Sequence, residues 1–218
     1  MPKDGDEIRL CIYYRALNEI TVKNSYTLPR IDDIIDTLAK ANIFSVMDFT
    51  SGYHQITLGD DNIKKTAFSW KGELFEYTRM SFELCNAPAT FQSIMNTVLK
   101  EENWKFAIPY LDDIIVFSQS IEEHKRHLEI VLGELKATGL TLNSKKSKFF
   151  QTEVEFLGNV ISKEHVKPDL KKIQALSECQ PPNTLRELGF FLRFSNFYSS
   201  FIIQFVIITS LLTDLLKG

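Results

Sequence analysis

The chain has 218 residues, of which 44% are hydrophobic, 12% aromatic and 24% charged, and its net charge is −3. That composition suffices for a sizeable core in one large domain or two small ones, and it excludes a disordered chain and a protein that binds nucleic acid by overall positive charge. Three cysteines without a CxxC spacing (Cys11, Cys85, Cys179) fit a reducing compartment and argue against structural disulfides or zinc.

Residues 8–14 read as a strand. Pro29 then opens a helix in which Ile31, Ile34, Ile35 and Leu38 recur at i, i+3, i+4 and i+7, one apolar stripe. Two strands follow, one ending near Asp48 and one over 66–69, and Lys71-Gly72 turns the chain into 74–78. Pro88 begins a helix reaching about Leu99, and a hairpin over 108–117 comes next. Ser120 with Glu123 forms a capping box. Behind it Leu128, Val131, Leu132 and Leu135 share one helix face, and Gly139 ends the helix. Short strands are predicted at 140–142, 149–150, 156–157 and 160–162. From Pro168 the pattern is helical, broken at Pro181-Pro182 and restarted by a second capping box, Thr184 with Glu187. The order predicts an α+β core with a helical appendage, split near residue 165.

The hairpin carries the chemistry. Ile108-Pro109-Tyr110-Leu111-Asp112-Asp113-Ile114-Ile115-Val116-Phe117 sets two adjacent carboxylates inside an apolar, β-branched run. A buried ionised carboxylate needs a partner, a raised pKa or a metal. A tight turn here brings Asp112 and Asp113 together, and Mg²⁺ favours such oxygen ligands. A solvated turn is the bland alternative. Phe44-Ser45-Val46-Met47-Asp48-Phe49 is a second apolar run ending in an acid, before Ser51-Gly52-Tyr53. Asp48 is therefore either a turn or cap residue or a third ligand. Three acids on one or two Mg²⁺ suit phosphoryl or nucleotidyl transfer.

Two other stretches stay open in meaning. Between Lys125 and Lys172 ten Lys/Arg face six Asp/Glu, either a phosphate track or a solvated face. Residues 194–213 carry no charge but hold eight Ser, Thr, Asn or Gln side chains, which points to a packed amphipathic helix pair and not a membrane span. No secretory leader is visible.

With these residues together, the chain resembles the reverse transcriptases of gypsy-type long-terminal-repeat retrotransposons and, more distantly, of retroviruses. Eight blocks carry the resemblance in family order. They are Tyr14-Arg15-Ala16-Leu17-Asn18, Leu28-Pro29-Arg30-Ile31-Asp32-Asp33, Ser51-Gly52-Tyr53-His54-Gln55-Ile56, Lys65-Thr66-Ala67-Phe68, Asn86-Ala87-Pro88-Ala89-Thr90-Phe91-Gln92, Tyr110-Leu111-Asp112-Asp113, Glu155-Phe156-Leu157-Gly158 and Leu212-Thr213-Asp214-Leu215-Leu216. The resemblance implies a right-hand polymerase fold: partial fingers and a ferredoxin-like palm over 1–165, then the start of a helical thumb over 166–218. It implies an RNA-directed DNA polymerase that extends a primer 3′ end with deoxynucleoside triphosphates on an RNA or DNA template. Asp48, Asp112 and Asp113 match the catalytic carboxylates that hold two Mg²⁺, with Mn²⁺ as a substitute. Arg9 matches a triphosphate contact, where a guanidinium suits phosphate oxygens; Lys3 is a weaker match to a second one. Tyr53 matches the aromatic that excludes a ribose 2′-hydroxyl, and Phe82 and Gln55 fall at substrate-pocket positions. Tyr110, Phe156, Leu157 and Gly158 match nucleic-acid contacts, the last three in a hairpin holding the primer end. Lys145 and Lys146 (with Lys148) are placed to follow the template–primer backbone.

The sequence also departs from the family. Tyr13 stands where an acid is usual beside Arg15, Glu83 replaces a Gly in Met80-Ser81-Phe82-Glu83-Leu84, Cys179 replaces a Trp, Arg193 a Gly and Leu211 a Pro. Glu83 is expected to bring a Cβ penalty and a negative charge near the triphosphate. The chain looks cut from a longer polyprotein that continues into RNase H and integrase regions. It is expected in the cytoplasm, in virus-like particles, or in the nucleus, neither secreted nor membrane-bound. An inactive remnant that at most binds nucleic acid, and a metal-dependent nuclease, are the alternatives.

Overall fold

The computed structural model describes residues 10–169, 173–174, 178, 181–196 and 198–217. The chain divides into two compact units, residues 1–152 and 153–218. In chain order the first carries α1 (Arg15–Ile20), α2 (Ile31–Leu38), β1 (Ile43–Asp48), α3 (Asp60–Ile63), β2 (Phe68–Trp70), β3 (Glu73–Phe75), α4 (Ala87–Val98), β4 (Ala107–Tyr110), β5 (Asp113–Ser118), α5 (Ile121–Ala137) and β6 (Lys148–Gln151).

Four of these strands form an antiparallel sheet in the order β4-β5-β1-β6. With α4 between β1 and β4 and α5 between β5 and β6, this is the split βαβ arrangement of a ferredoxin-like domain. Ile114, Ile115 and Val116 are fully buried in succession. Both faces of β5 are therefore covered, which explains a continuous apolar run in place of alternation. Phe91 and Met95 of α4 and Leu128, Val131 and Leu135 of α5 join Met47, Ile114 and Val116 in one core. Each such side chain contributes about 1.5–3 kcal/mol by leaving water.

Local signals set the ends of α5. Ser120 Oγ accepts from Glu123 N at 3.2 Å, the first bond of the predicted capping box, while Glu123 Oε2 accepts from Gln119 N, one residue before the N-cap, at 3.0 Å. A buried polar link then ties α5 to the sheet. His124, fully buried, bonds Ser45 Oγ through Nε2 at 2.7 Å and Ser118 Oγ through Nδ1 at 2.8 Å. Burial, and secondarily His127, lower its pKa to about 4, so the ring is neutral at pH 7.

Several strand expectations differ, and the one over 74–78 already ends at Phe75. Residues 10–14 form no strand; Tyr14 is instead buried and donates its hydroxyl to Thr66 O at 2.9 Å, and α1 begins at Arg15. A side-chain anchor has taken the place of a ladder. Residues 140–142 make a single bridge, Phe49 to Leu142, in place of a strand. The predicted strand over 66–69 starts later, at Phe68, because a 3₁₀ turn occupies Lys64–Thr66.

The second unit carries β7 (Glu153–Phe156), β8 (Asn159–Ser162), β9 (Val166–Pro168), α6 (Leu185–Asn196) and α7 (Phe205–Asp214). The strands form a sheet in the order β7-β8-β9. β9 escapes the sequence because Val-Lys-Pro has no strand periodicity. The second capping pair forms in its first bond, with Thr184 Oγ1 accepting from Glu187 N at 3.2 Å, while Glu187 Oε2 reaches one residue further back to accept from Asn183 N at 2.8 Å. The helix pair forms, but it is less packed than expected: Val206, Ile207, Ile208 and Leu211 of α7 are 60–77% exposed. Among the described residues no helix is long and apolar enough to cross a membrane.

Candidate active site

Asp48 ends β1 and Asp113 begins β5, and the antiparallel ladder sets the two directly opposite each other. Opposed residues point to the same face with Cβ atoms about 4.5–5.5 Å apart. Asp112 precedes Asp113 in the two-residue turn Leu111–Asp112 that joins β4 to β5. Leu111 adopts φ 54° there, a left-handed conformation that costs a non-glycine residue roughly 1–2 kcal/mol.

The strain is held by one side chain. Gln92, fully buried on α4, donates from Nε2 to Pro109 O at 2.8 Å and accepts at Oε1 from Leu111 N at 2.8 Å. Its carboxamide thus fixes the backbone on the β4 side of the carboxylate turn. Sequence reasoning passes over Gln92 as one letter in a motif block. The available signal is a pair of amides at i and i+4 on α4, Gln92 and Asn96 (Gln92 Nε2 donates to Asn96 Oδ1 at 3.1 Å), which need partners once buried.

The electrostatics follow from this convergence. Burial first, then Asp112 and Asp48, push the Asp113 carboxyl up to about 6, against an opposing pull from Lys146. Lys146 Nζ lies 3.6 Å from Asp48 Oδ2. Burial, and secondarily Asp112, push the Tyr53 phenol up to about 12, so that hydroxyl lies in the field of the acids. Among the described residues no three His, Cys, Asp or Glu side chains stand ready as a metal cage. The donor chemistry nevertheless fits a hard divalent cation: Asp48 faces Asp113 across the ladder with Asp112 adjoining, burial and then repulsion from the other two acids raise the Asp113 pKa, and a cation relieves that repulsion.

Beside the acids lies an aromatic floor. The Tyr53 ring is 5.2 Å from Phe82 and 5.5 Å from Phe91. Gly52 permits this packing, since a Cβ there would stand 3.2 Å from Phe91 and 3.3 Å from Phe49. Tyr110, at the end of β4, pairs with Asp113 across the ladder. Gln55 spends its carboxamide on Thr50 and Thr141, leaving it nothing to offer a substrate without breaking those bonds. Lys145 is exposed, its backbone N–H held by Asn143 Oδ1 at 3.2 Å. The fold therefore gathers Asp48, Asp112, Asp113, Tyr53 and Lys146, with Phe82 and Tyr110 adjoining. Phe156, Leu157 and Gly158 belong to the second unit, where Leu157 (φ 51°) and Gly158 (φ 78°) make the tight turn of the β7–β8 hairpin. Arg9 and Lys3 lie outside the described residues.

Two departures look milder in three dimensions. Glu83 is exposed and its φ is not positive, so the expected backbone penalty is absent and only the charge remains. Asn18 Nδ2 donates to Glu83 O at 2.8 Å and secures that turn. Arg15, lacking an acid at position 13, pairs with Glu19 at 3.0 Å.

Comparison with known proteins agrees with this geometry. Residues 1–161 match the family model for reverse transcriptase (RNA-dependent DNA polymerase). The retrovirus-related Pol polyprotein from transposon opus of Drosophila melanogaster is 37% identical over 217 residues, 100% of this chain and 22% of the relative. The corresponding polyprotein from transposon gypsy of the same fly is 38% identical over 210 residues, 96% of this chain and 20% of the relative. This chain thus spans about a fifth of the length of these relatives. Among solved structures, a foamy viral protease-reverse transcriptase in complex with double-stranded DNA matches with a TM-score of 0.89 at 27% identity, covering 100% of this chain and 38% of that one.

Proposed function

The chain belongs to the reverse transcriptase (RNA-dependent DNA polymerase) family, and from that premise we propose that it is the polymerase segment of a gypsy-type retrotransposon polyprotein, extending a primer 3′ end with deoxynucleotides on an RNA or DNA template. The observation that carries this reading is the direct pairing of Asp48 with Asp113 beside Asp112. In it, residues 1–165 serve as partial fingers and palm and 166–218 as the start of a thumb, with RNase H and integrase regions as neighbours in the polyprotein. Its place of work is the cytoplasm, in virus-like particles, or the nucleus.

Asp48, Asp112 and Asp113 would hold two divalent cations. Bound Mg²⁺, or Mn²⁺ in its place, lowers the pKa of an attacking hydroxyl and neutralises charge on a triphosphate. The chain's own groups do the rest. The ladder and the Gln92 bonds keep the carboxylates at fixed spacing, so little reorganisation is needed at the moment of reaction. Tyr53, backed by Phe82 and Phe91, is a rigid wall against a ribose 2′-hydroxyl. Its raised pKa keeps it neutral, which avoids a further negative charge beside the acids. In the same reading Arg9 meets the triphosphate, Lys145 follows the nucleic-acid backbone, and the turn at Phe156, Leu157 and Gly158 supports the primer end.

The alternative is an inactive remnant, favoured by the acidic side chain of Glu83. Primer extension on an RNA template with Mg²⁺ or Mn²⁺ separates the two. Incorporation that drops at least about 1,000-fold in an Asp112→Asn/Asp113→Asn variant fits loss of several kcal/mol of charge stabilisation. A folded chain with no incorporation, not restored by Glu83→Gly, is a remnant. Cleavage of template without incorporation means a nuclease.

A further inference from the structure

Four hydrogen bonds concentrate on one carboxamide beside the candidate site. Gln55 Nε2 donates to Thr50 O at 2.8 Å and to Thr141 O at 2.9 Å. Gln55 Oε1 accepts from Thr141 N at 2.7 Å and from Thr141 Oγ1 at 3.1 Å. Both donors and both lone pairs of the amide are used, across 86 residues of sequence. The turn after β1 is thereby spliced to Thr141, the first residue of the segment 141–147.

The spliced segment runs along the end of β1. Thr50 N donates to Thr141 O at 3.1 Å and Asn143 N to Asp48 O at 2.8 Å. Asp48 N donates to Ser147 Oγ at 3.3 Å, and Phe49 bridges Leu142. These bonds hold backbone, and none of them needs the Lys146 side chain. Yet the segment carries Lys146 to within 3.6 Å of Asp48 Oδ2, with the lysine half-exposed and the aspartate a quarter exposed. A long, flexible lysine is costly to hold on one partner unless its backbone is fixed first.

We propose that Gln55 is a positioning residue that pins residues 141–147, so that Lys146 sits on Asp48 as a built-in counter-ion which an incoming divalent cation displaces. The inference rests on Asp48 being a cation ligand. Before a cation arrives, Lys146 relieves part of the repulsion among the acids. When one binds, the ammonium must yield its oxygen, and the strength of the pin sets how readily it does so. Gln55 then tunes cation affinity from outside the ligand set.

The test is Mn²⁺ binding to the full 218-residue chain, followed by electron paramagnetic resonance, with amide hydrogen exchange on the same samples. Wild type, Lys146→Met, Gln55→Met and the double variant form a cycle. Each single variant should tighten Mn²⁺ binding by about two- to fivefold, the scale of a half-exposed pair, and the double should tighten it no further. Protection of the Thr141 and Asn143 amides should fall in Gln55→Met and hold in Lys146→Met. Additive effects overturn the proposal, as does unchanged Mn²⁺ affinity in a Gln55→Met chain that has lost protection, which marks a purely structural role. If Gln55→Met fails to fold, Gln55→Asn keeps a neutral amide that is too short to reach Thr141, with the same outcomes expected. Wild-type binding no better than that of Asp112→Asn/Asp113→Asn is a separate result: it overturns the carboxylate reading, and the counter-ion with it.

Discussion

The hairpins β4–β5 and β7–β8 have loops of the same length and opposite economies. Leu157 and Gly158 both take positive φ, 51° and 78°, the turn whose twist matches its strands, with glycine at one of the two demanding positions. Asn159 Nδ2 reaches back to Leu157 O at 3.3 Å, and Asp169 N donates to Gly158 O at 3.1 Å. At β4–β5 the two positions are Leu111 and Asp112, neither of them glycine, and Leu111 alone sits at φ 54°. Here Gln92 reaches in from another element and bonds the backbone twice. Each such bond contributes about 1 kcal/mol net, enough together to offset the strain. The β7–β8 turn relies on a glycine at one demanding position and on backbone and local bonds, whereas the Leu111 turn, without glycine, relies on a buried side chain from α4.

That contrast can be broken most severely at its support. Gln92→Leu leaves Leu111 N–H and Pro109 C=O buried without partners and should cost about 2–4 kcal/mol, read as a lower urea midpoint at unchanged m. It should also abolish incorporation. No single change at the β7–β8 turn should cost as much, and an equal loss there would dissolve the distinction.

Asp113→Asn is next and has the opposite sign. The native carboxyl titrates at about 6 against 3.8 in an ordinary aspartate. Native protein thus binds more protons than unfolded chain between those values, and stability from this group falls as pH rises from about 4 to about 6. The full penalty stands at pH 7, so in metal-free buffer the variant should gain about 1–2 kcal/mol after discounting for solvent screening. His124 acts oppositely over the same range. Its native pKa of about 4 against 6.5 supplies stability above pH 6.5 that is lost on acidification. Urea midpoints of the wild type should therefore vary little between pH 6.5 and 4.5, while those of Asp113→Asn should fall steadily. Parallel pH profiles would refute the assignment.

Gly158→Ala should cost about 1 kcal/mol, the penalty for placing a Cβ in the left-handed region. Smallest of all, Leu111→Asn puts a residue that tolerates the left-handed region there but gives up the partly buried leucine side chain, so the two terms should leave the thermal midpoint within about 3 °C. A large shift there would mean that Gln92 is not what holds the turn.

Much of this was legible from residues near one another in the chain. The stripe of Ile34 and Leu38, the caps at Ser120 and Thr184, Pro88 at the start of α4 and the apolar run around Asp112 and Asp113 all state their structure locally. The missed features share a different character. Residues 10–14 have a strand-like composition, but Tyr14 is claimed by Thr66, and residues 140–142 are claimed by the end of β1. The α7 stripe is apolar enough to predict burial, yet much of it lies exposed.

By itself the sequence determined the family and the α+β order and picked out three acids as candidates, because adjacency, periodicity and motif order are properties of the chain as written. Only the tertiary structure decided that Asp48 faces Asp113, that Gln92 holds the Leu111 turn from 19 residues away and that Gln55 ties down Thr141 from 86 away. The physical reason is that an amide or a carboxylate carries no periodic signal of its own. Its partners are set by strand register and by which backbone groups the packed core leaves within reach.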